Sequence, residues 1–261
     1  MSTNPADRFS ALTLNMQSGQ IWDPVRPDDA PFDLDRTIAF LVGMDCDFIF
    51  LQEVEFPDTP WPDTSRHPNL DRLVAGLPGY HSTFAWPAAT RPQLPFGIGL
   101  AIFSRLPLRD CFHVVLPASD QRFEFRGSQW LPAERSLIGA TVDLGGQALT
   151  LLNTHLQAYF MIDSSADEHP EQRRVLTTLI RGRKTPLLMG GDFNCTDQEA
   201  TIDEIEQAGL RSVQKRQITW HRQPHVLDHL FHSPELRVVE GQVVRTEVSD
   251  HDAVRAVFTP A

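Results

Sequence analysis

The chain is short of cysteines, of basic residues and of long apolar stretches, and each shortage excludes a class of protein. The three cysteines, Cys46, Cys111 and Cys195, are far apart and form no CxxC pair, which excludes a disulfide framework and a cysteine-based zinc site. No run approaches the roughly 18–20 apolar residues that a membrane-spanning helix needs. The first ten residues contain no basic segment followed by an apolar one, so we expect no signal peptide and a cytoplasmic location.

Basic side chains are outnumbered by acidic ones, 23 against 34, which gives a net charge of −11. Proteins that hold long nucleic acids usually gain affinity by neutralising phosphates with Lys and Arg. The charge therefore disfavours a non-specific nuclease, although a strictly local basic patch is still compatible with nucleic acid binding.

The 261 residues include 41% hydrophobic side chains, enough for a sizeable core, and no linker divides them. Strand-like patterns alternate with amphipathic helical ones, so we predict one mixed α/β domain over 1–261 with layered sheets. The predicted strands are 9–16, 48–51, 96–103, 187–189, 226–232, 236–244 and 253–258. The predicted helices are 33–44, 69–77, a segment after Pro170, and 198–208.

The clearest local pattern is a hairpin. Residues 136–144 and 147–156 are rich in β-forming side chains and flank Gly145-Gly146. This pair suits the positive φ angles of a two-residue turn, so we predict an antiparallel pair joined there.

Polar residues recur where the predicted strands end. They are Asn15, Gln52-Glu53, Asn153, His155, Asp192, Asn194, Asp228 and the run Ser249-Asp250-His251-Asp252. Buried carboxylates are costly unless they are paired or bound to a cation. Oxygen ligands of this kind suit a hard divalent ion, so we expect Mg²⁺ or Mn²⁺ as cofactor.

The residue types supply what phosphate-ester hydrolysis requires. Asn15 and Glu53 can hold the metal, and Asp250 can complete or share it. Asn194 can donate to a phosphate oxygen, and His155 can do the same when it is protonated.

His251 and Asp228 form a candidate imidazole–carboxylate pair. In such a pair the carboxylate fixes the tautomer and favours the protonated form, so His251 can act on a water molecule.

Six motifs in this order resemble those of the endonuclease/exonuclease/phosphatase superfamily. They are LNMQSG at 14–19, LQEV at 51–54, NTHLQA at 153–158, GGDFN at 190–194, LDHLF at 227–231 and SDH at 249–251. Each motif alone is common, but the ordered series spans about residues 9–258. The resemblance implies a four-layer α/β/β/α sandwich of two mixed β-sheets flanked by helices.

The resemblance also implies a set of site residues. These are Asn15 and Glu53 with Asp250 nearby for the metal, His251 and Asp228 for the water, and Asp192, Asn194 and His155 around the phosphate.

Two positions separate the chain from parts of the superfamily. Gln17 stands where some of its nucleases have an acidic metal ligand, and His155 stands where abasic-site endonucleases have tyrosine. Histidine there resembles pancreatic-type deoxyribonucleases and neutral sphingomyelinases, and THLQA is closer to the latter. We therefore expect a metal-dependent phosphodiesterase or phosphatase acting on a small or lipid-linked ester. A nuclease and a catalytically silent binding module are the alternatives.

Two further segments bear on the substrate. Residues 119–130 combine Arg122 and Arg126 with three aromatic rings, which can hold a phosphate and stack a ring or can form an edge strand. Residues 159–171 begin with four apolar residues and then carry four acids without Lys or Arg. Because they follow His155, we expect an acidic rim over the site. The apolar start can meet a lipid or pack on the domain.

Overall fold

The computed structural model describes residues 8–56, 65–86, 99–125, 127–196 and 198–261. The strands are β1 (Phe9–Asn15), β2 (Phe48–Gln52), β3 (His81–Ala85), β4 (Leu100–Ser104), β5 (Arg109–Val115), β6 (Phe123–Phe125), β7 (Ser128–Trp130), β8 (Ser136–Leu144), β9 (Gln147–His155), β10 (Leu187–Asp192), β11 (Arg211–Ser212), β12 (Asp228–His232), β13 (Leu236–Val244) and β14 (Ala253–Pro260). The α-helices are α1 (Leu34–Met44), α2 (Pro68–Gly76), α3 (Glu171–Arg181) and α4 (Thr201–Gln207). Short 3₁₀-helices cover Gln17–Gly19 and Tyr159–Ile162.

The described strands form two mixed sheets of six strands and one separate pair. The first sheet has the order β13-β14-β1-β2-β4-β3, and the second has the order β11-β12-β10-β9-β8-β5. Strands β1 and β2 are parallel, and so are β9 and β10. Because parallel strands end at the same edge, Asn15 lies beside Gln52 in one sheet and Asp192 beside His155 in the other.

Three apolar layers separate the sheets and the helices. Phe50 of β2 and Leu151 of β9 belong to the layer between the two sheets. Leu41 of α1 lies in the layer over the outer face of the first sheet, and Leu176 of α3 lies in the layer over the second. This arrangement is the predicted α/β/β/α sandwich, and the fold prediction is confirmed. None of the described helices is both long and apolar enough to cross a membrane.

The predicted hairpin is present as β8 and β9. Gly145 and Gly146 have φ angles of 61° and 97°, which glycine adopts without steric cost. The turn pairs Leu144 with Gln147, and the same register brings Ser136 opposite His155 at the far end of the hairpin. The turn therefore fixes where His155 lies.

Some element boundaries differ from the predictions. Helix α4 begins at Thr201 rather than at 198. The predicted strand 96–103 is observed from Leu100, and residues 96–98 lie outside the described residues. Segment 119–130 forms the isolated pair β6–β7 instead of an edge strand of a large sheet, and Arg126 also lies outside the described residues.

Strands β3, β5 and β11 were not predicted. All three lie at sheet edges, and most of their residues are exposed or only half-buried. A strand that buries little surface needs no regular apolar alternation, so its sequence carries no clear strand pattern.

A polar link joins the two sheets inside the apolar layer between them. The Gln52 side chain donates to Asn153 Oδ1 at 2.7 Å, and Asn153 Nδ2 donates to the main-chain oxygens of Leu51 and Ala101 at 2.8 and 2.9 Å. Both amides are fully buried. Beside Asn153, a Cβ at Gly190 would come within 2.7 Å of the Phe50 ring, so the sheets approach closely there only because this residue is glycine.

We predict that Asn153→Ala destabilises the protein by roughly 2–4 kcal/mol, because the buried Gln52 side chain loses an acceptor and two main-chain carbonyls lose a donor. Equilibrium unfolding in urea measures the change. Gln147→Ala, at the exposed start of the same strand, is the control and should cost less than about 0.5 kcal/mol. Equal small effects in both variants would show that the link does not hold the sheets together.

Candidate active site

The carboxyl ends of the two parallel pairs meet at one edge of the sandwich. Asn15 Nδ2 donates to Glu53 Oε1 at 3.1 Å and to Asp192 Oδ2 at 3.0 Å, so one amide joins the two sheets. His155 Nε2 lies 3.4 Å from Asp192 Oδ2 and 3.9 Å from Glu53 Oε1. Four of the predicted residues are therefore in one cluster.

The remaining carboxylates surround His251. Its Nδ1 lies 2.8 Å from Asp228 Oδ2, and Asp228 itself pairs with Asp192 in the strand register. His251 Nε2 lies 4.0 Å from Asp192 Oδ2 and 3.9 Å from Asp250 Oδ1. The predicted imidazole–carboxylate pair is present, and its second ring nitrogen faces the cluster around Asn15.

Asn194, predicted as a phosphate donor, lies against the same cluster. Its main-chain N–H donates to Asp192 Oδ1 at 3.0 Å, and its Nδ2 donates to the Leu156 carbonyl at 3.1 Å. An amide nitrogen carries two hydrogens, so one of them is still available for a ligand. The structure thus brings together all eight residues that the sequence predicted.

Backbone strain occurs at two of these residues. Glu53 and Asn194 have φ angles of 50° and 45°, a region that residues other than glycine rarely adopt. Each follows the end of a strand, where the turn redirects its side chain. Strained conformations of this kind are concentrated at functional sites.

Asp250 is held by a segment that the sequence reasoning did not identify. Arg222 Nε lies 2.6 Å from Asp250 Oδ2, and Trp220 Nε1 donates to the same oxygen at 3.3 Å. The main chain of His221 donates to the Asp250 carbonyl at 2.8 Å, and Trp220 forms a β-bridge with His251. One carboxylate oxygen of Asp250 is thus engaged, and the other points to the imidazole.

Arg135 is a second residue that sequence reasoning missed. It is buried, and its Nη1 lies 3.1 Å from His155 Nδ1. The predicted hairpin register contained the relevant signal, because it places Arg135 one position beyond the pair Ser136–His155.

Burial dominates the electrostatics of the two central acids. It raises the pKa of Glu53, and the nearby Asp250 charge adds to the shift. Burial and the charge of Asp228 raise the pKa of Asp192 to about 7. Both carboxylates are therefore poorly compensated in the protein alone.

The two histidines are shifted in opposite directions. Burial alone would lower the pKa of His251, but its hydrogen bond to Asp228 and the surrounding carboxylates raise it to about 10. Burial, together with the charges of Arg135 and His251, holds the pKa of His155 well below its usual value. Since His155 is neutral, it offers one N–H donor instead of the two of the protonated form that we expected.

The donor set fits a hard divalent ion. Asp228 Oδ1 is buried without a hydrogen-bond partner among the described residues. One carboxylate oxygen from each of Asp192 and Asp228 and one nitrogen of His251 lie within 4.8 Å of one another. Asn15, Glu53 and Asp250 add oxygen atoms next to this group, and oxygen ligands are the ones that Mg²⁺ and Mn²⁺ prefer.

The 159–171 segment borders the site, and its apolar start packs on the protein. Tyr159 and Ile162 are buried, and the Phe160 ring lies 5.7 Å from Trp220, which in turn lies 6.2 Å from His251. The start therefore packs on the protein at Tyr159 and Ile162, whereas Met161 is 58% exposed. The acids that follow are partly compensated, for example by Arg173, which pairs with Asp167 at 3.1 Å.

The sequence matches the family model described as "Endonuclease/Exonuclease/phosphatase family" over residues 12–251. It is 27% identical over 138 residues to a UPF0294 protein of Vibrio parahaemolyticus and 26% identical over 138 residues to a UPF0294 protein of Vibrio campbellii. Each alignment covers 50% of this chain and 47% of the relative. The chain thus spans about half the length of the curated relatives it matches.

Several solved structures are similar over almost the whole chain. An endonuclease/exonuclease/phosphatase from Beutenbergia cavernae superposes with a TM-score of 0.69 at 21% identity, covering 98% of this chain and 72% of that chain. The human Nocturnin catalytic domain with bound sulfate anion gives 0.65 at 19%, covering 98% and 94%. D. rerio TDP2 complexed with single strand DNA product gives 0.67 at 17%, covering 97% and 99%. At these identities the similarity shows the fold.

The raised pKa of Asp192 predicts a pH-dependent stability. Because its folded pKa of about 7 exceeds the ordinary aspartate pKa of 3.8, stability is lost as pH rises from about 4 to about 7. In metal-stripped protein, Asp192→Asn should therefore melt at a higher temperature than wild type at about pH 8, with little difference near pH 4. Mg²⁺ should raise the melting temperature of wild type more than that of the variant.

The exposed Asp203→Asn on α4 serves as the control and should change neither result. A lower melting temperature for Asp192→Asn at the higher pH would mean that the hydrogen bond from Asn15 outweighs the burial of the charge.

Proposed function

Since the chain belongs to the endonuclease/exonuclease/phosphatase family, we propose that it is a metal-dependent hydrolase of phosphate esters. One observation carries the proposal. The second ring nitrogen of the His251–Asp228 pair faces Asp192 and Asp250, and Asn15 joins Asp192 to the desolvated Glu53. This supplies a proton acceptor and an oxygen-rich cation site within one cluster.

Asn15, Glu53 and Asp250 would hold the cation, with Asp192 beside them. A bound Mg²⁺ or Mn²⁺ supplies Lewis acidity that stabilises the negative charge developing on the phosphate oxygens. Asn15 is suited to this position because, among the described residues, its Oδ1 accepts only the main-chain N–H of Gln17 at 3.1 Å. An amide oxygen has two lone pairs, so one is left for a cation.

His251 is the residue that moves the proton. Asp228 accepts the Nδ1–H, so Nε2 can take a proton from water. The water oxygen bonds to phosphorus, the ester P–O bond breaks, and the proton ends on the leaving oxygen. Asp228 contributes most to the raised pKa of His251, and Asp192 and Asp250 add to it. A cation that neutralised Asp192 and Asp250 would bring the pKa of the ring closer to the range of a base.

His155 and Asn194 lie on the phosphate side of this arrangement. The neutral imidazole of His155 offers one N–H, and the Asn194 amide offers its second hydrogen. Both can donate to phosphate oxygens whose charge increases in the transition state. Asp192 accepts from Asn15 and so keeps the two halves of the site aligned.

A small or lipid-linked phosphate ester fits the charge of the protein better than a long polyanion. The chain has a net charge of −11, which opposes binding of duplex DNA at physiological salt. Nucleic acid is the second candidate, because one structural neighbour, D. rerio TDP2, was solved with single strand DNA product. No disulfide joins Cys46, Cys111 and Cys195, which supports the proposed cytoplasmic location.

A metal-supplemented substrate panel tests the function. We expect hydrolysis of at least one small phosphodiester, phosphomonoester or sphingomyelin, loss of that activity in EDTA, and recovery with Mg²⁺ or Mn²⁺. DNA and RNA are included at about 0.15 M salt. Full activity in chelated, metal-stripped protein would disprove the mechanism. Faster cleavage of plasmid DNA than of any small ester would favour the nuclease.

The roles within the site predict different responses to metal. His251→Ala should lower kcat by roughly 10²–10⁴-fold, the usual contribution of a general base, and excess Mg²⁺ should not restore it. Glu53→Gln weakens a ligand and leaves the base intact, so excess metal should partly restore its rate. His232→Ala, which removes another buried histidine from the far end of β12, is the control and should keep kcat.

The pH–rate profile of wild type distinguishes this role from its competitor. If His251 acts as a base, the rate rises with pH. If it remains protonated and stabilises the phosphate, the rate falls as pH passes the pKa of the ring. Repeating the profile with a second metal identifies the contribution of metal-bound water.

A further inference from the structure

Among the described residues, two arginines are almost completely buried, and they differ in what surrounds them. Arg173 is 7% exposed, and its guanidinium lies 2.9 Å from Glu204 and 3.1 Å from Asp167 and also donates to the Ala166 carbonyl. Its charge is neutralised, and it fastens the 163–171 segment to α4. Arg173 is thus a structural arginine.

Arg135 is 9% exposed and has no such partners. Among the described residues, no carboxylate forms an ion pair with it. Its Nε donates to Gln157 Oε1 at a long 3.4 Å, and its Nη1 lies 3.1 and 3.2 Å from the two ring nitrogens of His155. Near-equal distances to both nitrogens place Nη1 over the face of the ring and not along a lone pair.

This geometry leaves most of the hydrogen-bonding capacity of Arg135 unused. A guanidinium has five N–H donors, and Nη2 bonds no residue within the described part of the chain. None of the Arg135 atoms is among the fully enclosed side-chain atoms that lack a partner. Nη2 is therefore not fully enclosed by the protein.

The charge of Arg135 also faces the site. Its strongest interactions with charged residues are with Glu53 and Asp192, the two acids that Asn15 joins. A buried cation is costly unless an anion completes its environment. The planar fork of a guanidinium matches the oxygens of a phosphate group, to which it can donate two parallel hydrogen bonds.

We propose that Arg135 binds the phosphate group of the substrate, donating to non-bridging oxygens beside His155. The inference rests on the proposed function, since it takes the phosphate ester as the ligand of this cluster. It adds a cation beside His155, separate from the His251–Asp228 pair that would activate the water.

The main chain at Arg135 permits a clean test. Its carbonyl accepts a hydrogen bond from Leu116 N at 2.8 Å, and this contact does not depend on the side chain. Side-chain variants therefore keep the link between the segment before β8 and the end of β5. Arg173→Gln is the matched control, because it removes an equally buried guanidinium outside the site.

Binding of inorganic phosphate, measured by calorimetry with and without Mg²⁺, gives a readout independent of turnover. Arg135→Gln should weaken phosphate binding by about 10- to 100-fold, as expected for loss of charge-assisted hydrogen bonds, and should lower kcat/KM similarly. Arg135→Lys keeps the charge but not the fork, so it should be intermediate. Arg173→Gln should lower the melting temperature and leave phosphate affinity unchanged.

Rescue by a small cation adds a second measurement. In Arg135→Ala, guanidinium chloride below unfolding concentrations should restore part of the phosphate affinity, because the ion fits the space that the side chain leaves. The same addition should not restore turnover to His251→Ala.

The outcomes separate this inference from the proposed function. Unchanged phosphate affinity in Arg135→Gln overturns the inference, whether or not the melting temperature falls, and so does a wild-type protein that binds no phosphate. If wild type hydrolyses no ester but binds phosphate in an Arg135-dependent way, the inference stands and the proposed function fails.

Discussion

The side-chain amide of Asn15 donates to Glu53 in its own sheet and to Asp192 in the other, and the site depends on that alignment. Two back-to-back sheets have no intrinsic register, because apolar packing between them is non-directional. The Gln52–Asn153 link lies next to the cluster and supplies directional hydrogen bonds where the sheets would otherwise be free to slide. Gly190 lets the Phe50 ring approach at the same level. The apolar core thus determines that the sheets stack, and a small number of buried amides determine how their edges meet.

The resulting cluster of buried acids contributes little to the stability of the protein. Burial disfavours the charged forms of Glu53 and Asp192, and Glu53 also has a strained backbone. His251 compensates part of the negative charge through Asp228. Such an arrangement persists because the surrounding strands fix its geometry. Ligands that neutralise its charge stabilise the folded protein and offset the cost of burial. The same features that weaken the protein alone therefore favour binding of a cation, and in the proposed function that cation would attract the phosphate group.

The sequence predicted the layers and the eight candidate residues because both depend on strands that are buried on two faces. Strands β2 and β10 are continuous apolar runs, so the polar residues at their ends were conspicuous. Edge strands such as β5 expose most of their residues and have no comparable pattern. Arg222 could not be found, because it acts from irregular structure on a residue 28 positions away. Arg135 could have been identified only from the register of its hairpin, which places it next to the pair Ser136–His155. The role of each residue in catalysis is still a proposal.

The two ring nitrogens of His251 have different neighbours, so the carboxylates around the ring have different roles. Asp228 is fully buried and hydrogen-bonds Nδ1 at 2.8 Å, so it fixes the ring and its tautomer. Asp250 and Asp192 face Nε2 from 3.9 and 4.0 Å, which is too long for hydrogen bonds. Arg222 holds Asp250 by its other oxygen and so keeps that carboxylate from closing on the ring. In the proposed function, the water molecule would lie in front of Nε2 between these two acceptors and would give up its proton there.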